Sequence, residues 1–268
     1  MRITCIETAE GRRTVVRTAG GETVSEDLAR VVTEPLAGVL APLNRDGQGP
    51  LKAPLLPAKI VAIGLNYADH VREAGAVAPE RPLVFAKFPS SVIGTGEPIR
   101  IDRRLTERAD WEVELGVVIG TRMRNALPAD ALKHVFGYTV ANDVSARDVQ
   151  FADGQWVRAK SLDTFCPLGP EIVTADEVPD PQALSLSTTV NGELMQDSST
   201  AEMIFSVAEI LSYCSASFTL EPGDLVLTGT PWGCGEFMNP KRSLKDGDVV
   251  ECRVGDFAVL RNPVRAES

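Results

Sequence analysis

Two short runs of alternating residues, 185–190 and 193–196, flank the dipeptide Asn191-Gly192, and this pattern restricts the possible folds more than any other part of the sequence. Asn-Gly is strongly favoured in two-residue β-hairpins, because both turn positions need a positive φ angle. The two runs are therefore predicted to pair as antiparallel strands. Similar runs between turn residues predict further strands at 2–7, 14–18, 60–65, 112–119, 137–144, 225–228 and 249–254.

Helical patterns are few by comparison. A helix is predicted over 128–136, which begins with proline and is followed by glycine. Another is predicted over 201–217, where Ser199 and Glu202 have the spacing of a capping box. A third is predicted over 25–43. Strands and helices alternate too irregularly for a doubly wound sheet or a (β/α)8 barrel, so we predict an α+β fold that is mainly β.

The polar, glycine-containing stretch at 44–50 is the clearest linker in the sequence, and two further prolines follow it closely. Stretches of this composition commonly join compact units. We therefore predict a small N-terminal domain at 1–55 and a larger catalytic domain at 56–268. The length of 268 residues is ample for a buried core.

The chain carries 27 lysines and arginines against 37 aspartates and glutamates, which gives a net charge of −10. An acidic surface argues against binding to nucleic acid or to anionic membranes, since both need a basic face. A small anionic substrate is compatible with this charge only if a metal ion or a few placed basic residues make its site locally positive.

The five cysteines are scattered along the sequence without a CxxC pair, which indicates reduced thiols with structural roles. Residues 1–8 lack the basic and apolar stretches of a secretory signal. The longest apolar run, at 55–65, is too short to cross a bilayer. We therefore predict a cytoplasmic protein.

The run Asp110-Trp111-Glu112-Val113-Glu114 places two glutamates in an otherwise apolar strand. Side chains alternate along a strand, so Glu112 and Glu114 share one face, with Cα atoms about 6.5–7 Å apart. Both carboxylates can then reach one cation. The alternative is an exposed, solvated face, but the valines and isoleucine that follow indicate a strand that runs into a core, where unpaired acids are costly.

Asp143 lies at the end of the strand predicted at 137–144, and Arg147 and Gln150 follow it at helical spacing. If the chain turns helical there, a carboxylate, a fixed cation and an amide share one face, which suits a carboxylate substrate beside a metal ion. An aspartate that caps a surface helix explains the same pattern. Lys160 is a candidate for stabilising an enolate, with a solvated surface lysine as the alternative.

His70 and Glu73 follow the strand predicted at 60–65 and would share a helix face. A glutamate that orients a histidine, which in turn takes a proton from water, is a common general-base arrangement. The other histidine, His134, lies in the last turn of a predicted helix, where histidine is common for structural reasons. A glycine-rich turn at 228–235 offers backbone amides to a ligand, but such a turn is weak evidence alone.

Taken in order, these motifs make the chain similar to the fumarylacetoacetate hydrolase family. The ordered set is highly specific, although each motif is only moderately so. The resemblance implies a mixed β-sandwich roll with a small N-terminal domain, and a homodimer. The matching stretches lie between about residues 59 and 262, at 64–73, 82–91, 110–120, 137–150, 160–170, 190–196 and 220–231.

The resemblance also implies roles for single residues. Glu112, Glu114 and Asp143 would bind one divalent ion, and a set of three carboxylates suits Mg²⁺ or Mn²⁺, with Ca²⁺ as a further option. His70 and Glu73 match the catalytic dyad of the shorter members of the family.

Other positions match residues that contact the substrate in the family, namely Arg147, Gln150, Lys160 and Thr230. Lys160 would also act in catalysis. Trp232 and Cys234 stand where the family more often has small or aliphatic residues, which predicts a narrower pocket wall.

On this basis we expect a metal-dependent hydrolase that cleaves a carbon–carbon bond in a β-diketo acid of the acylpyruvate or fumarylpyruvate type, with the His-Glu pair activating water. A metal ion that withdraws electrons from the carbonyl group also serves oxaloacetate decarboxylation, and isomerisation or tautomerisation of 2-hydroxymuconate-type acids, so these are alternatives. A non-catalytic binding protein of the same fold is a remote alternative, because it would be expected to have lost a metal carboxylate or the dyad. The expected ligand is a small anionic 2-oxo or diketo acid.

Overall fold

A computed structural model of the chain describes residues 1–8, 11–18, 21–25, 32, 41–42 and 50–267. Within these residues the strands are β1 (Arg2–Thr8), β2 (Gly11–Thr18), β3 (Gly21–Ser25), β4 (Ala41–Pro42), β5 (Leu51–Lys52), β6 (Ile60–Gly64), β7 (Leu83–Lys87), β8 (Val92–Ile93), β9 (Ile99–Asp102), β10 (Ala109–Asp110), β11 (Val113–Ile119), β12 (Val135–Asn142), β13 (Ser145–Ala146), β14 (Cys166–Thr174), β15 (Ser185–Val190), β16 (Glu193–Ser199), β17 (Leu225–Leu227), β18 (Val249–Val254) and β19 (Leu260–Glu267).

The helices of the described residues are short and lie between the strands. They are α1 (Ala68–Glu73), α2 (Pro128–Ala131), α3 (Arg147–Asp153), α4 (Val157–Lys160) and α5 (Val207–Ser217). Single 3₁₀ turns occur at Pro89–Ser91, Leu132–His134, Ala175–Glu177, Thr200–Glu202 and Gly235–Phe237. In the part of the chain described, no helix is long and apolar enough to cross a membrane.

Most strands join one large sheet in the order β4-β3-β2-β1-β14-β12-β11-β17-β6-β7, with β5 on β1 and β8 on β14. A second sheet has the order β16-β15-β18-β19-β9. Both sheets are mixed, because β17 runs parallel to β6 and β19 runs parallel to β9 while most other pairs are antiparallel. The prediction of a mainly β, α+β fold with a mixed β-sandwich roll is confirmed.

The two sheets pack face to face around a shared apolar core. Val113, Leu115 and Val117 of β11 belong to the same buried cluster as Leu186 of β15 and Val250 of β18. These residues of β11 are two apart and therefore point to one face of the strand, as the alternation in the sequence predicts.

The opposite face of the large sheet has a core of its own. Val118 of β11 packs there with Ile3 and Val16 of the N-terminal strands and with Ile172 of β14. The central strands are thus covered on both faces, and β11 is buried along its whole length. A carboxylate near this strand is therefore buried whichever face it points to.

The hairpin predicted at Asn191-Gly192 is confirmed. Strands β15 and β16 pair antiparallel on either side of this turn. Asn191 has φ 54° and Gly192 has φ 81°, the left-handed conformation that both central positions of a type I′ turn require.

The N-terminal strands extend the large sheet, because β1 pairs antiparallel with β14. The division into domains at 1–55 and 56–268 stays a prediction. The linker predicted at 44–50 and most of the helix predicted over 25–43 lie outside the described residues. At the two ends of that predicted helix the chain is extended instead, in β3 and β4.

The helix predicted over 128–136 is wrong in its second half. Helix α2 ends at Ala131, a 3₁₀ turn follows, and β12 begins at Val135. Val135 pairs with Ile119 of β11. The β-branched and aromatic residues at 135–136 thus join the sheet, where such side chains pack well.

The helix predicted over 201–217 begins later than expected, at Val207, and Ser206 caps it in a capping box with Glu209. The predicted cap, Ser199, accepts the N–H of Ala201 at the head of a single 3₁₀ turn. The cause is tertiary: Asn66 accepts backbone N–H groups from residues 204 and 205 and holds that stretch extended.

We expect Ser206→Ala to lower the free energy of unfolding by about 1 kcal/mol, the usual cost of losing an N-cap side chain. Ser206 Oγ accepts the N–H of Glu209 at the head of an 11-residue helix. Denaturant unfolding followed by circular dichroism measures the loss. Ser199→Ala is the matched control and should cost less, so equal losses would contradict the assignment of the α5 N-cap to Ser206.

Candidate active site

A cavity of about 250 Å³ opens at the edge of the large sheet where β11 begins and where β6, β12 and β17 end. It is lined by most of the residues singled out in the sequence: His70, Glu112, Glu114, Arg147, Gln150, Lys160 and Thr230. Glu73 and Asp143 are not on its wall, but each is hydrogen-bonded to a residue that is. The nine candidates therefore form one site.

Sheet register brings the three candidate metal ligands together. The antiparallel pairing of β11 and β12 sets Val113 opposite Asn142, and the N–H of Asp143 donates to the carbonyl oxygen of Glu112 at 2.8 Å. One carboxylate oxygen from each of Glu112, Glu114 and Asp143 lies within 4.8 Å of the others.

Two buried lysines lie among these carboxylates. Lys160 Nζ is 2.6 Å from Oε2 of Glu112 and 2.6 Å from Oδ2 of Asp143. Lys87 Nζ is 2.5 Å from Oδ1 of Asp143. Burial alone would lower the pKa of Lys160, but Asp143 and Glu112 outweigh it and raise that pKa. Lys160 is therefore placed to hold negative charge beside these carboxylates.

The buried acids of the site outnumber its buried bases. When all are ionised, Asp110, Glu112, Glu114 and Asp143 carry four negative charges, whereas Lys87, Lys160 and Arg147 carry three positive ones. Among the described residues Glu114 has no ion-pair partner, and its Oε2 accepts the N–H of Gly229 at 2.7 Å. Burial, together with Asp143 and Glu112, raises the pKa of Glu114 well above its usual value. Three hard oxygen ligands with a surplus negative charge fit a divalent cation such as Mg²⁺ or Mn²⁺.

Arg147 fixes its neighbours as well as facing the cavity. Its Nε donates to Oδ2 of Asp110 at 2.8 Å, and its second terminal nitrogen lies 2.7 Å from Oε1 of Glu112. The remaining nitrogen donates to Oε1 of Gln150 at 3.0 Å. Because that oxygen is occupied, the amide nitrogen of Gln150 is left to donate into the cavity.

Arg147 and Gln150 lie three residues apart on α3, as the helical spacing predicts. Asp143 does not share their helix face, because β13 separates it from the start of α3. Lys160 is the last residue of α4 and is buried, so the alternative of a solvated surface lysine is wrong. Tertiary pairing of β10 with β13 accounts for the extended stretch before α3.

Helix α1 presents the predicted His-Glu pair. Nδ1 of His70 lies 3.2 Å from Oε2 of Glu73, and the other Glu73 oxygen accepts the N–H of Gly233 at 2.9 Å. The His70 ring packs edge-on against Phe237, with centroids 5.3 Å apart. When Nδ1–H donates to Glu73, the lone pair of Nε2 is free to accept a proton.

The other sequence candidates have simpler surroundings. Thr230 Oγ1 accepts from the amide of Gln196 at 2.9 Å, so its own O–H is free to donate. Trp232 is 44% exposed and Cys234 is fully buried, and neither lines the cavity. The predicted narrowing of the pocket wall by these two residues is therefore wrong. Nδ1 of His134 forms a hydrogen bond with Oγ1 of Thr121 at the surface, which agrees with the structural role predicted for this histidine.

Sequence reasoning missed two charged members of the site. Lys87 lies at the end of β7, far along the chain from Asp143. Its position after an apolar strand was the one feature of the sequence that indicated a site residue. Asp110 lies two residues before Glu112, as Glu112 does before Glu114, so the same alternation of side chains could have identified it as a site residue. It is fully buried and accepts from Arg147 and from the N–H groups of residues 235 and 236.

Aromatic residues form the apolar side of the cavity. Phe85 packs edge-on against Trp156, with ring centroids 5.4 Å apart, and Phe237 lines the wall beside His70. The lack of a side chain at Gly64 leaves room for Trp156, because a Cβ at residue 64 would overlap the indole ring.

Comparison with known proteins identifies the family. The family model for the C-terminal part of fumarylacetoacetate (FAA) hydrolase matches residues 59–265. The chain belongs to the fumarylacetoacetate hydrolase family, and the resemblance found in the motifs is confirmed.

Several relatives carry more specific names. The chain is 46% identical over 217 residues to oxaloacetate tautomerase fahd2, mitochondrial, of Xenopus laevis, a match covering 80% of this chain and 68% of that protein. The fumarylacetoacetate hydrolase of Exiguobacterium antarcticum matches with TM-score 0.88 and 39% identity over 100% of both chains. The 5-carboxymethyl-2-hydroxymuconate delta-isomerase of Mycobacterium smegmatis matches with TM-score 0.83 and 37% identity, also over 100% of both chains.

We expect Glu114→Gln to weaken Mg²⁺ and Mn²⁺ binding by more than the roughly 10–100-fold that follows loss of an outer-shell partner, because it removes the one carboxylate that no buried cation balances. Isothermal titration calorimetry measures the affinity. Glu236→Gln is the control, since Glu236 is a buried acid paired with Arg108 and Lys241. Unchanged affinity in Glu114→Gln would contradict the metal assignment.

Proposed function

We propose that this protein is a divalent-metal-dependent tautomerase of a small 2-oxo dicarboxylic acid, with oxaloacetate as its substrate. The proposal is carried by one observation: a small cavity is lined by Glu112, Glu114, Lys160 and His70, with Asp143 and Glu73 hydrogen-bonded directly behind that wall. The name of the Xenopus laevis relative supports the choice of substrate.

The size of the cavity favours a short acid. At about 250 Å³ it is smaller than the roughly 300–1,000 Å³ of typical small-molecule sites. A four-carbon dicarboxylic acid fits this space better than a longer diketo acid such as fumarylpyruvate. The aromatic wall of Phe85, Trp156 and Phe237 limits the length of substrate that can enter.

Tautomerisation moves one proton between the carbon next to a carbonyl group and the carbonyl oxygen. His70 is the side chain suited to take that proton, since Glu73 orients the ring through Nδ1 and, when Nδ1–H donates to it, Nε2 is free to accept. Lys160, which lies between Glu112 and Asp143, stabilises the negative charge that develops on the oxygen. The same His70 returns a proton to complete the reaction.

The substrate carboxylates need donors that the protein does not already use. The Gln150 amide nitrogen and the Thr230 hydroxyl are such donors, because each has its acceptor atom occupied by another side chain. Arg147 fixes Asp110 and Gln150, to which its Nε and one terminal nitrogen donate, and its other terminal nitrogen forms an ion pair with Glu112.

Glu112, Glu114 and Asp143 would hold the divalent ion, Mg²⁺ or Mn²⁺. When bound, the ion supplies the electron sink that makes the carbon next to the carbonyl group acidic. Its positive charge adds to that of Lys87, Lys160 and Arg147 at this end of the sheet. An anionic substrate needs such a locally positive site, because the chain as a whole has a net charge of −10.

Carbon–carbon bond hydrolysis, oxaloacetate decarboxylation and isomerisation of muconate-type acids draw on the same groups. Hydrolysis also needs room for a water molecule and for a second product beside His70, which a small cavity supports less well. The hydrolase and the homodimer stay predictions.

The first test compares substrates. With Mg²⁺ or Mn²⁺ present, we expect the protein to accelerate decay of the ultraviolet absorbance of enol-oxaloacetate, and a chelator to abolish the effect. Acylpyruvates, fumarylpyruvate and 2-hydroxymuconate-type acids are assayed beside it, with product analysis by chromatography. A higher kcat/KM for acylpyruvate cleavage than for oxaloacetate tautomerisation would make the hydrolase the better assignment.

We expect His70→Ala to lower kcat for oxaloacetate tautomerisation by roughly 10²–10⁴-fold, the usual range for a general base, with metal affinity near wild type. Glu73→Gln should cost less, because it removes orientation but keeps the base. His134→Ala is the control, since His134 hydrogen-bonds to Thr121 away from the cavity. Near wild-type turnover by His70→Ala would remove the dyad from the mechanism.

A further inference from the structure

Cys234 lies against the His-Glu pair. A ring nitrogen of His70, a carboxylate oxygen of Glu73 and Sγ of Cys234 lie within 4.8 Å of one another. In the part of the chain that the structure describes, two groups of side chains bring their ligand atoms this close, and the other is the carboxylate cluster. The thiol has no function in the proposed tautomerase reaction.

The backbone at Gly233 holds the cysteine in this place. The Gly233 N–H donates to Oε1 of Glu73 at 2.9 Å. Gly233 has φ +97°, and a Cβ there would overlap the carbonyl group of Met195. Glycine is therefore required at this position, and the residue that follows it is directed toward the dyad.

The Cys234 thiol is buried without a strong hydrogen bond. Its sulfur lies 3.9 Å from the carbonyl oxygen of Pro231 and 3.8 Å from the amide nitrogen of Gln196. Such contacts are weak for sulfur. The sulfur therefore has no strong hydrogen bond to lose when an ion binds. Burial and the carboxylates of Glu112 and Asp110 raise the pKa of this thiol, so the ion has to displace its proton.

We propose that His70, Glu73 and Cys234 form a second metal site, selective for a thiophilic divalent ion such as Zn²⁺. Imidazole nitrogen, thiolate sulfur and carboxylate oxygen are the ligands that Zn²⁺ takes in proteins, with Zn–S about 2.3 Å and Zn–N about 2.0–2.1 Å. Ligand atoms at most 4.8 Å apart need to approach by no more than roughly 1–1.5 Å to reach the separation of about 3.4–3.6 Å in a tetrahedral zinc site. The three-carboxylate cluster is hard by comparison and favours Mg²⁺ or Mn²⁺.

Zinc at this site would inhibit the enzyme. Binding releases the thiol proton to solvent and takes a lone pair of the His70 ring, so His70 no longer serves as a base. Glu73 is occupied at the same time. The inhibition rests on the proposed function, whereas the binding of the ion does not.

The binding is tested with Co²⁺ as a spectroscopic probe, using protein saturated with Mg²⁺ so that the carboxylate cluster is filled. We expect a thiolate-to-cobalt charge-transfer band in the near ultraviolet, and displacement of the band by Zn²⁺. Cys234→Ser should lack the band, and His70→Ala should weaken Co²⁺ binding. Cys252→Ser is the matched control, because Cys252 is equally buried but lies in β18 of the second sheet. Absence of the band in wild-type protein, or its persistence in Cys234→Ser, would overturn the proposal.

The inhibition is tested with Zn²⁺ at saturating Mg²⁺. We expect Cys234→Ser to raise the Zn²⁺ concentration for half-inhibition by at least roughly 10–100-fold, and excess Mg²⁺ not to restore wild-type activity. Relief by Mg²⁺ with no effect of Cys234→Ser would mean that zinc acts at the carboxylate cluster, against the proposal. If the protein lacked tautomerase activity, the cobalt band would still decide whether the second site exists.

Discussion

The buried ion pairs at the edge of the large sheet are the interaction on which the rest of the site depends. Lys160 joins Glu112 to Asp143 and so connects α4 with the two central strands. Lys87 joins β7 to the same aspartate. Removing one partner of a buried ion pair leaves an uncompensated charge and costs several kcal/mol. The carboxylates and the cations therefore hold one another in place.

Asp110 extends this network to the other wall of the cavity. It accepts from Arg147 on one side and from the backbone N–H groups of residues 235 and 236 on the other. The loop after β17 carries Thr230 on the cavity wall and Gly233, whose N–H holds Glu73. The candidate metal ligands, the donors proposed for the substrate and the His-Glu pair are thus positioned by one connected set of polar contacts, each of them buried or nearly so.

Local patterns in the sequence were sufficient for nine of the strands, the hairpin and the shared face of Glu112 and Glu114, because alternation and turn chemistry act over a few residues. They did not indicate β14 or β19. The true start of α5 was not accessible, since Asn66 holds the residues before that helix extended from a distant part of the chain. Lys87 was missed for the same reason. Only sheet pairing brings it to Asp143, and pairing between distant strands leaves no local pattern.

Gly64 and Trp156 have a consequence for how this site can change. Neither residue carries charge, yet together they set the depth of the cavity, because the indole lies where a side chain at residue 64 would otherwise project. A single added methyl group there would displace the ring without touching any carboxylate or lysine. The choice of substrate length is therefore separable from the chemistry, and mutation can explore new acids while the reactive groups stay intact.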